Sequence, residues 1–299
     1  MLPNFLICGA AQSGTTFLAS SLDQHPDVYL GSPMQPEPHY FYFSWKARRP
    51  LQWYEQKWFS DVCDETAVGE KSTSYMLGVN VARRIRKACP GMKLIFLLRN
   101  PVERAFSNYR FTVFQGLEPL GFVEALEREE QRTAELEGRW AEIRPYSYIA
   151  RSLYGRQLER FCRHFPRSQM LILRSEDMYE DRMSILRRVF AFLDVGQDFE
   201  PSSPPRHSTP GVKDRELQVR LRSEYGQRFS RMATLVRKGG EVRSNLTSDE
   251  DLVLYDLFTG NLMEKQKMPT GAREYLREAL TEDLQLLQDI VDFPVGQWF

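Results

Sequence analysis

The chain is 299 residues long, and its 40 basic and 40 acidic side chains cancel in formal net charge. A chain of this length can bury a sizeable hydrophobic core, while the balanced charge argues against a nucleic-acid partner. No apolar run approaches the ~20 residues that a membrane span needs, and the apolar start at residues 1–10 lacks a basic leader. We therefore expect a cytoplasmic protein without a membrane span.

Short apolar strands alternate with helical stretches along the first two thirds of the chain. The predicted strands cover residues 4–9, 66–70, 93–98 and 169–173. The predicted helices cover residues 15–24, 79–89, 101–115, 121–137, 148–165 and 182–193. Nearly continuous apolar strands separated by helices indicate an α/β fold, in which a parallel sheet carries helices on both faces.

The last third of the chain has a different character. Residues 200–212 are rich in proline and serine and predict a long loop. A basic helical stretch follows at about 213–238, and an acidic helical tail follows at about 248–292. We expect one domain over residues 1–299, with a core at 3–195 and a loop with a helical lid or appendage at 200–299.

The most informative segment is Gly9–Thr16, which follows the first predicted strand and precedes the first predicted helix. A strand that turns through glycines into a helix presents backbone N–H groups and the positive helix end to an anion. The G-x-x-x-x-G spacing matches the P-loop of nucleotide triphosphatases, but Thr15 and Thr16 replace the expected Lys-Ser or Lys-Thr pair. The segment therefore predicts a P-loop-like cradle for a nucleotide other than ATP or GTP.

A second candidate anion site follows the strand at 93–98. Arg99 stands at the carboxyl end of that strand, where doubly wound sheets bind ligands, and Ser107 comes two turns into the next helix. An arginine fork and a serine hydroxyl suit a phosphate. The alternative is that Arg99 and Arg104 are ordinary surface charges.

Five stretches in order resemble the sulfotransferases that use 3′-phosphoadenosine 5′-phosphosulfate (PAPS), in particular their heparan-sulfate-like and bacterial branch. Gly9–Thr16 resembles the 5′-phosphosulfate loop of that family, and the stretch from Arg99 to Tyr109 resembles its motif R-x-P-x-x-R-x-x-S-x-Y for the 3′-phosphate. The other three are the segments 25–29 (H-P-D-V-Y) and 36–41 (P-E-P-H-Y-F) and the run from 154 to 178. The resemblance covers residues 3–195, with a weak echo near residue 298.

The resemblance implies that PAPS is the donor and that the chain is an enzyme. It implies a donor site formed by Gln12, Ser13, Gly14, Thr15, Thr16, Arg99, Ser107, Tyr154, Arg206 and Lys213. The last two begin a basic stretch that is either a solvated helix face or a lid over the phosphates. A sulfuryl group carries less charge than a γ-phosphoryl group, so we expect no metal requirement.

For the chemistry, Glu37 resembles the carboxylate that removes the acceptor proton, with a surface charge as the alternative. His39 either orients Glu37, binds the acceptor, is itself the base, or is a structural histidine. Lys71, in a segment that resembles the family's E-K-S motif, would place a cation near the sulfate or the leaving phosphate. The chain departs from the family at Gln12, where Lys or Arg is usual, and a glutamine cannot neutralise charge.

The acceptor is expected to be a hydroxyl of a small-molecule, carrier-bound or carbohydrate substrate of secondary metabolism. The aromatic segments 40–45 and 53–59 either line an acceptor cleft or belong to the core. Two other functions remain open, namely a non-catalytic or weakly active relative that binds PAPS or its product 3′-phosphoadenosine 5′-phosphate (PAP), and a P-loop small-molecule kinase. The sequence carries no signal for the oligomeric state.

Overall fold

The computed structural model describes residues 1–203, 209–239, 242–246, 248–264 and 266–298. Over these residues the strands are β1 (Phe5–Gly9), β2 (Val28–Leu30), β3 (Ala67–Lys71), β4 (Lys93–Leu98), β5 (Met170–Arg174), β6 (Gly211–Val212) and β7 (Leu262–Met263). The helices of the same residues are α1 (Thr15–Leu22), α2 (Ser44–Ala47), α3 (Leu51–Trp58), α4 (Val81–Ala88), α5 (Pro101–Phe114), α6 (Phe122–Glu127), α7 (Glu129–Ala134), α8 (Gly138–Ile143), α9 (Tyr154–Cys162), α10 (Ser175–Glu180), α11 (Arg182–Leu193), α12 (Arg215–Tyr225), α13 (Gln227–Lys238), α14 (Asp249–Gly260) and α15 (Ala272–Gln288).

Strands β1 to β5 form a parallel sheet in the order β2-β3-β1-β4-β5. Phe5 of β1 pairs with Gly69 on one side and with Lys93 on the other. A Cβ atom on residue 69 would lie 2.4 Å from the Phe5 ring and would clash with it. The glycine at this position therefore allows the two strands to pair in this register. The predicted α/β class and the four predicted strands are confirmed, whereas the edge strand β2 was not predicted.

Successive side chains of a strand point to opposite faces of the sheet, so the core has one part on each face. Phe5 and Ile7 of β1 belong to a buried cluster with Leu18 of α1 and Phe190 of α11. Phe96 of β4 meets Phe161 of α9, with the ring centroids 5.0 Å apart. Helices therefore cover the sheet, as the apolar strands predicted.

The chain divides into two compact units, of which the first holds the parallel sheet. This unit comprises residues 1–104, 150–205 and 280–299, and the second comprises 105–149 and 206–279. The division does not follow the predicted boundary near residue 200, because residues 105–149 belong to the second unit and the carboxyl-terminal residues to the first. The single domain stays a prediction.

The second unit is held together by polar as well as apolar contacts. The buried Glu118 carboxylate accepts hydrogen bonds from Arg132 (2.9 Å) and from the Tyr148 hydroxyl (2.6 Å). The predicted acidic helical tail at 248–292 is broken into α14 and α15, with β7 between them. Two predicted helices of the second unit are broken as well. The stretch 213–238 divides into α12 and α13 at Gly226, whose positive φ of 52° does not fit a helix, and 121–137 divides into α6 and α7 at Arg128.

The predicted helix at 148–165 begins later than expected, because residues Ala150–Ser152 form a 3₁₀ turn before α9. The predicted loop at 200–212 ends in the short strand β6, which pairs with β7. None of the helices in the described parts of the chain combines the length and apolar character of a membrane-spanning segment.

Candidate functional site

The loop between β1 and α1 has the geometry of an anion cradle. Gly14 caps α1 in the left-handed region (φ 87°), a conformation that suits glycine, and the first turn of the helix carries no acidic residue. The first N–H groups of a helix have no partner within it, and the helix dipole favours an anion there. Ser13 is buried, and its carbonyl accepts a hydrogen bond of 2.8 Å from the Ser175 hydroxyl.

Arg99 follows β4 and reaches this loop. Its Nη1 donates to the carbonyl oxygen of Gln12 at 3.2 Å, and its own carbonyl accepts from the buried Tyr154 hydroxyl at 3.1 Å. Burial, which outweighs the Arg104 charge, raises the pKa of Tyr154 to about 12, so this hydroxyl stays a donor at neutral pH. Tyr154 therefore contacts the backbone at Arg99, on the strand end where the phosphate motif begins.

Helix α5 starts directly after Arg99, as its sequence predicted. Pro101 occupies the first helical position, where its missing N–H costs nothing. The Asn100 side-chain oxygen accepts from the backbone N–H groups of Val102 (3.0 Å) and Glu103 (3.2 Å). This cap fixes where the strand ends and the helix begins, and so fixes the position of Arg99.

The three candidate catalytic residues lie together at the end of β3. The Lys71 ammonium is 3.3 Å from the Thr16 hydroxyl of α1 and forms an ion pair with the Glu37 carboxylate. Glu37 also accepts from the backbone N–H (2.8 Å) and the hydroxyl (2.9 Å) of Thr73, and His39 Nε2 lies 3.3 Å from it. Lys71 thus connects the anion loop to the carboxylate.

Burial and charge set the protonation states of this cluster. The Lys71 side chain is only 1% exposed, and that of Glu37 12%. Burial raises the pKa of Glu37, but the Lys71 ammonium and the hydrogen bonds from Lys71 and Thr73 outweigh burial and leave the pKa below its ordinary value. Glu37 is therefore ionised at neutral pH.

Burial lowers the pKa of His39 to about 4. The nearby cations Lys46, Arg151 and Lys71 lower it as well, and the Glu37 charge, which acts in the opposite direction, is too weak to offset them. The His39 imidazole is therefore neutral at pH 7. Its backbone lies in the left-handed region (φ 47°), and its N–H donates to the Ser72 hydroxyl at 2.7 Å. The ring meets Phe43 edge to face, with the centroids 5.5 Å apart. The histidine can therefore serve as a neutral hydrogen-bonding partner of Glu37.

The remaining predicted donor-site residues lie elsewhere or are not described. Ser107 lies in the part of α5 that belongs to the second unit. Lys213 lies in the same unit, where its ammonium donates to the Gly260 carbonyl at the end of α14 (2.7 Å). Arg206 lies outside the described residues. Their roles at the donor stay predictions.

Sequence analysis did not single out Thr73 or Ser175, which the structure brings to the site. Thr73 directly follows the E-K-S segment at the carboxyl end of a predicted buried strand, a position where α/β sheets bind ligands, so the sequence could have indicated it as a site residue. Ser175 begins α10 just after β5, at the same edge of the sheet. Its hydroxyl contacts the Ser13 carbonyl 162 residues away in the chain, a separation that no local pattern reveals.

A family model and several known proteins match the chain. The family model of the sulfotransferase domain matches residues 2–215. The chain belongs to the sulfotransferase family. The chain is 33% identical over 196 residues to mouse heparan sulfate glucosamine 3-O-sulfotransferase 3B1. This alignment covers 64% of the chain and 46% of the mouse protein.

The bacterial side of the family gives a match along the whole chain. The crystal structure of a sulfotransferase from Alicyclobacillus acidocaldarius superposes with a TM-score of 0.71 at 26% identity, and covers 99% of this chain and 98% of that one. The membrane-associated sulfotransferase kil1 of Dictyostelium discoideum is 23% identical over 316 residues, covering 79% of this chain and 66% of that protein. The chain spans less than half the length of the mouse relative.

In the described ranges, His, Cys, Asp and Glu do not gather in any group of three or more that could hold a metal ion. Independence from a metal stays a prediction.

Proposed function

We propose that the chain transfers the sulfuryl group of PAPS to a hydroxyl acceptor. The observation that carries the proposal is the position of the Lys71 ammonium, which contacts both Thr16 of the anion loop and the Glu37 carboxylate. A donor bound on the loop would have the cation beside its sulfate, and an acceptor on the other side of Lys71 would have the carboxylate beside its hydroxyl.

The residues of the loop fit the donor. The N–H groups at the start of α1, with no acid in the first turn, supply backbone hydrogen bonds to the 5′-phosphosulfate. Arg99, 3.2 Å from the Gln12 carbonyl, supplies a guanidinium at the same loop. Thr15 and Thr16 stand where a triphosphatase carries Lys-Ser or Lys-Thr, so the lysine for the β- and γ-phosphates is missing, which favours PAPS over ATP.

The transfer is an in-line displacement. A bond forms between the acceptor oxygen and sulfur while the bond from sulfur to the bridging oxygen of PAPS breaks, and PAP leaves with the electron pair. Glu37 takes the proton of the acceptor hydroxyl. His39, neutral at pH 7, holds the carboxylate through its Nε2 atom and need not take up the proton itself.

The ion pair with Lys71 explains how the base is kept ionised and then made stronger. In the free protein the ammonium lowers the pKa of Glu37, which makes the carboxylate a weak base. Negative charge on a bound donor attracts Lys71 and weakens its hold on Glu37. The basicity of Glu37 then rises when the donor is in place.

We propose an acceptor from the three classes expected from the sequence, namely a small-molecule, carrier-bound or carbohydrate hydroxyl, and a cytoplasmic location. The name of the mouse relative, a heparan sulfate glucosamine 3-O-sulfotransferase, supports the inclusion of amino-sugar hydroxyls. The acceptor panel therefore contains an N-sulfated glucosamine oligosaccharide, a 3-hydroxyacyl thioester and a simple phenol.

The decisive experiment compares ligands by thermal shift and then measures transfer. PAP is expected to raise the melting temperature without magnesium and more than ATP or GTP does, because binding to the folded state alone stabilises it. Transfer of ³⁵S from labelled PAPS to one member of the panel is the expected second result. Stabilisation by ATP with magnesium alone would support a kinase, and PAP binding without turnover on any acceptor would support a non-catalytic relative.

A further inference from the structure

Beneath the site, β3 carries a second buried carboxylate that the proposed chemistry does not use. Glu70 is 1% exposed and directly precedes Lys71. Because side chains alternate across a strand, the two residues face opposite sides of the sheet. Glu70 therefore does not take part in the ion pair between Lys71 and Glu37, and its burial inside the core needs another physical reason.

Two buried tyrosines donate to this carboxylate. The Glu70 Oε1 atom accepts from the Tyr75 hydroxyl at 2.6 Å and from the Tyr54 hydroxyl at 3.0 Å. Burial raises the pKa of Glu70 to about 7, against hydrogen bonds from both tyrosines that favour the ionised form. A hydrogen bond to a buried acceptor offsets part of the cost of its burial, so the two bonds to Oε1 favour the observed orientation of both tyrosine hydroxyls.

Tyr75 connects Glu70 to the segment 36–41, which carries the proposed base Glu37. Its hydroxyl oxygen also accepts from the backbone N–H of Phe41 at 3.3 Å. A hydroxyl has one proton, so the proton that Tyr75 gives to Glu70 leaves its lone pairs for Phe41. The Glu70 carboxylate thereby fixes the direction of the Tyr75 hydroxyl and, through it, the position of Phe41.

Phe41 ends the short segment 36–41 that carries Glu37 and His39. The same segment is held at His39, whose N–H donates to Ser72, and at Tyr40, whose ring stacks on Tyr54 with the centroids 4.4 Å apart. These contacts lead to Ser72, directly after β3, and to the two tyrosines that bind Glu70. The segment has no regular structure of its own at Glu37, so these contacts hold its backbone, while Lys71 and Thr73 hold the Glu37 carboxylate itself.

We propose that Tyr75, with its hydroxyl oriented by the Glu70 carboxylate, is a positioning residue that holds the segment of Glu37 and His39 in place. The proposal rests on the proposed function for its catalytic consequence, but the positioning itself is independent of turnover. Substitution of Tyr75 is expected to release the segment, whereas substitution of Tyr54 removes a hydroxyl from the same carboxylate without freeing a backbone N–H group.

The test follows the His39 imidazole by NMR in Tyr75→Phe and in the matched control Tyr54→Phe. The chain has four histidines, and His39→Asn assigns the resonance. In the wild type the His39 pKa is about 4 because the ring is buried. In Tyr75→Phe it is expected to rise by at least ~1 unit towards the ordinary value of about 6.5, because the released ring meets water, and in Tyr54→Phe to stay within a few tenths.

Two further readouts separate positioning from simple loss of stability. Each tyrosine variant loses a hydrogen bond to the same carboxylate, and Tyr75→Phe also leaves the buried Phe41 N–H without its acceptor, so its melting temperature is expected to fall further. The titrations are therefore run well below both melting temperatures, where both variants are folded. Glu70→Gln is expected to keep the His39 pKa, since an amide oxygen accepts from both tyrosines. Equal His39 shifts in the two tyrosine variants, no shift in either, or a shift in Glu70→Gln as large as that in Tyr75→Phe would overturn the proposal.

The effect of the Tyr75 substitution on catalysis is measured separately from the NMR titration. Tyr75→Phe is expected to lower kcat about 10-fold with the KM for PAPS unchanged, because the segment does not form the donor loop. If no acceptor is turned over by the wild type, the proposed function fails while the NMR titration still decides the positioning role.

Discussion

Replacement of the proposed base, Glu37→Gln, tests the mechanism most directly. The glutamine oxygen can still accept from Lys71 and Thr73, so the change removes the charge and the basicity while it keeps the shape. General-base catalysis contributes roughly 10²–10⁴-fold, and we expect kcat to fall by this factor, equivalent to about 3–5 kcal/mol of activation free energy. The affinity for PAP is expected to stay the same or to rise, because Glu37 lies outside the donor loop and its replacement leaves the Lys71 ammonium available to the ligand.

The stability of the variant must be measured beside its activity, because Lys71 loses its charged partner. Hydrogen bonds to charged groups contribute about 1.5–3 kcal/mol, and the amide retains part of this, so a fall of about 1–2 kcal/mol in unfolding free energy is expected. The assay is ³⁵S transfer from PAPS to the acceptor that the wild type uses, with Glu124→Gln on the surface as the control. Full kcat in Glu37→Gln, with the protein folded at the assay temperature, would refute the assignment of the base.

Three further predictions follow from the same cluster. Gln12→Lys is expected to raise kcat about 10-fold, since a charge-assisted hydrogen bond is about twice as strong as a neutral one, and an unchanged or lower kcat would contradict this. Lys71→Met is expected to lower kcat at least ~100-fold, whereas Lys87→Met on the surface of α4 should not change it. The lowered pKa of Glu37 contributes stability above the unfolded value of 4.5 that is lost as the pH falls through the lower folded value. Acid unfolding should therefore show a shallower pH dependence in Glu37→Gln, and an identical dependence would count against the ion pair.

The sheet could be predicted because its strands are short apolar runs between turn residues. Strand β2, with only three residues, carries too little pattern to be recognised, and the helices α2 and α3 lie in an aromatic segment without clear helical periodicity. The candidate residues of the site came from motifs, but their mutual contacts did not. Glu37 and Lys71 are 34 positions apart, and no local pattern indicates that they meet. Lys71 lies near the loop that follows β1 because β3 pairs with β1 in a parallel register that places it opposite Ile7.

The sheet order also explains how the anion loop can work with a neutral residue at position 12. Strand β1 lies between β3 and β4, so the residues at the carboxyl ends of those two strands flank the loop that follows β1. Lys71 is the last residue of β3 and contacts Thr16, while Arg99 follows β4 and contacts the Gln12 carbonyl. Two cations therefore reach the loop from its neighbours in the sheet. Because a donor would already meet these charges, a lysine at position 12 is expected to add a modest gain in rate and not to create the activity.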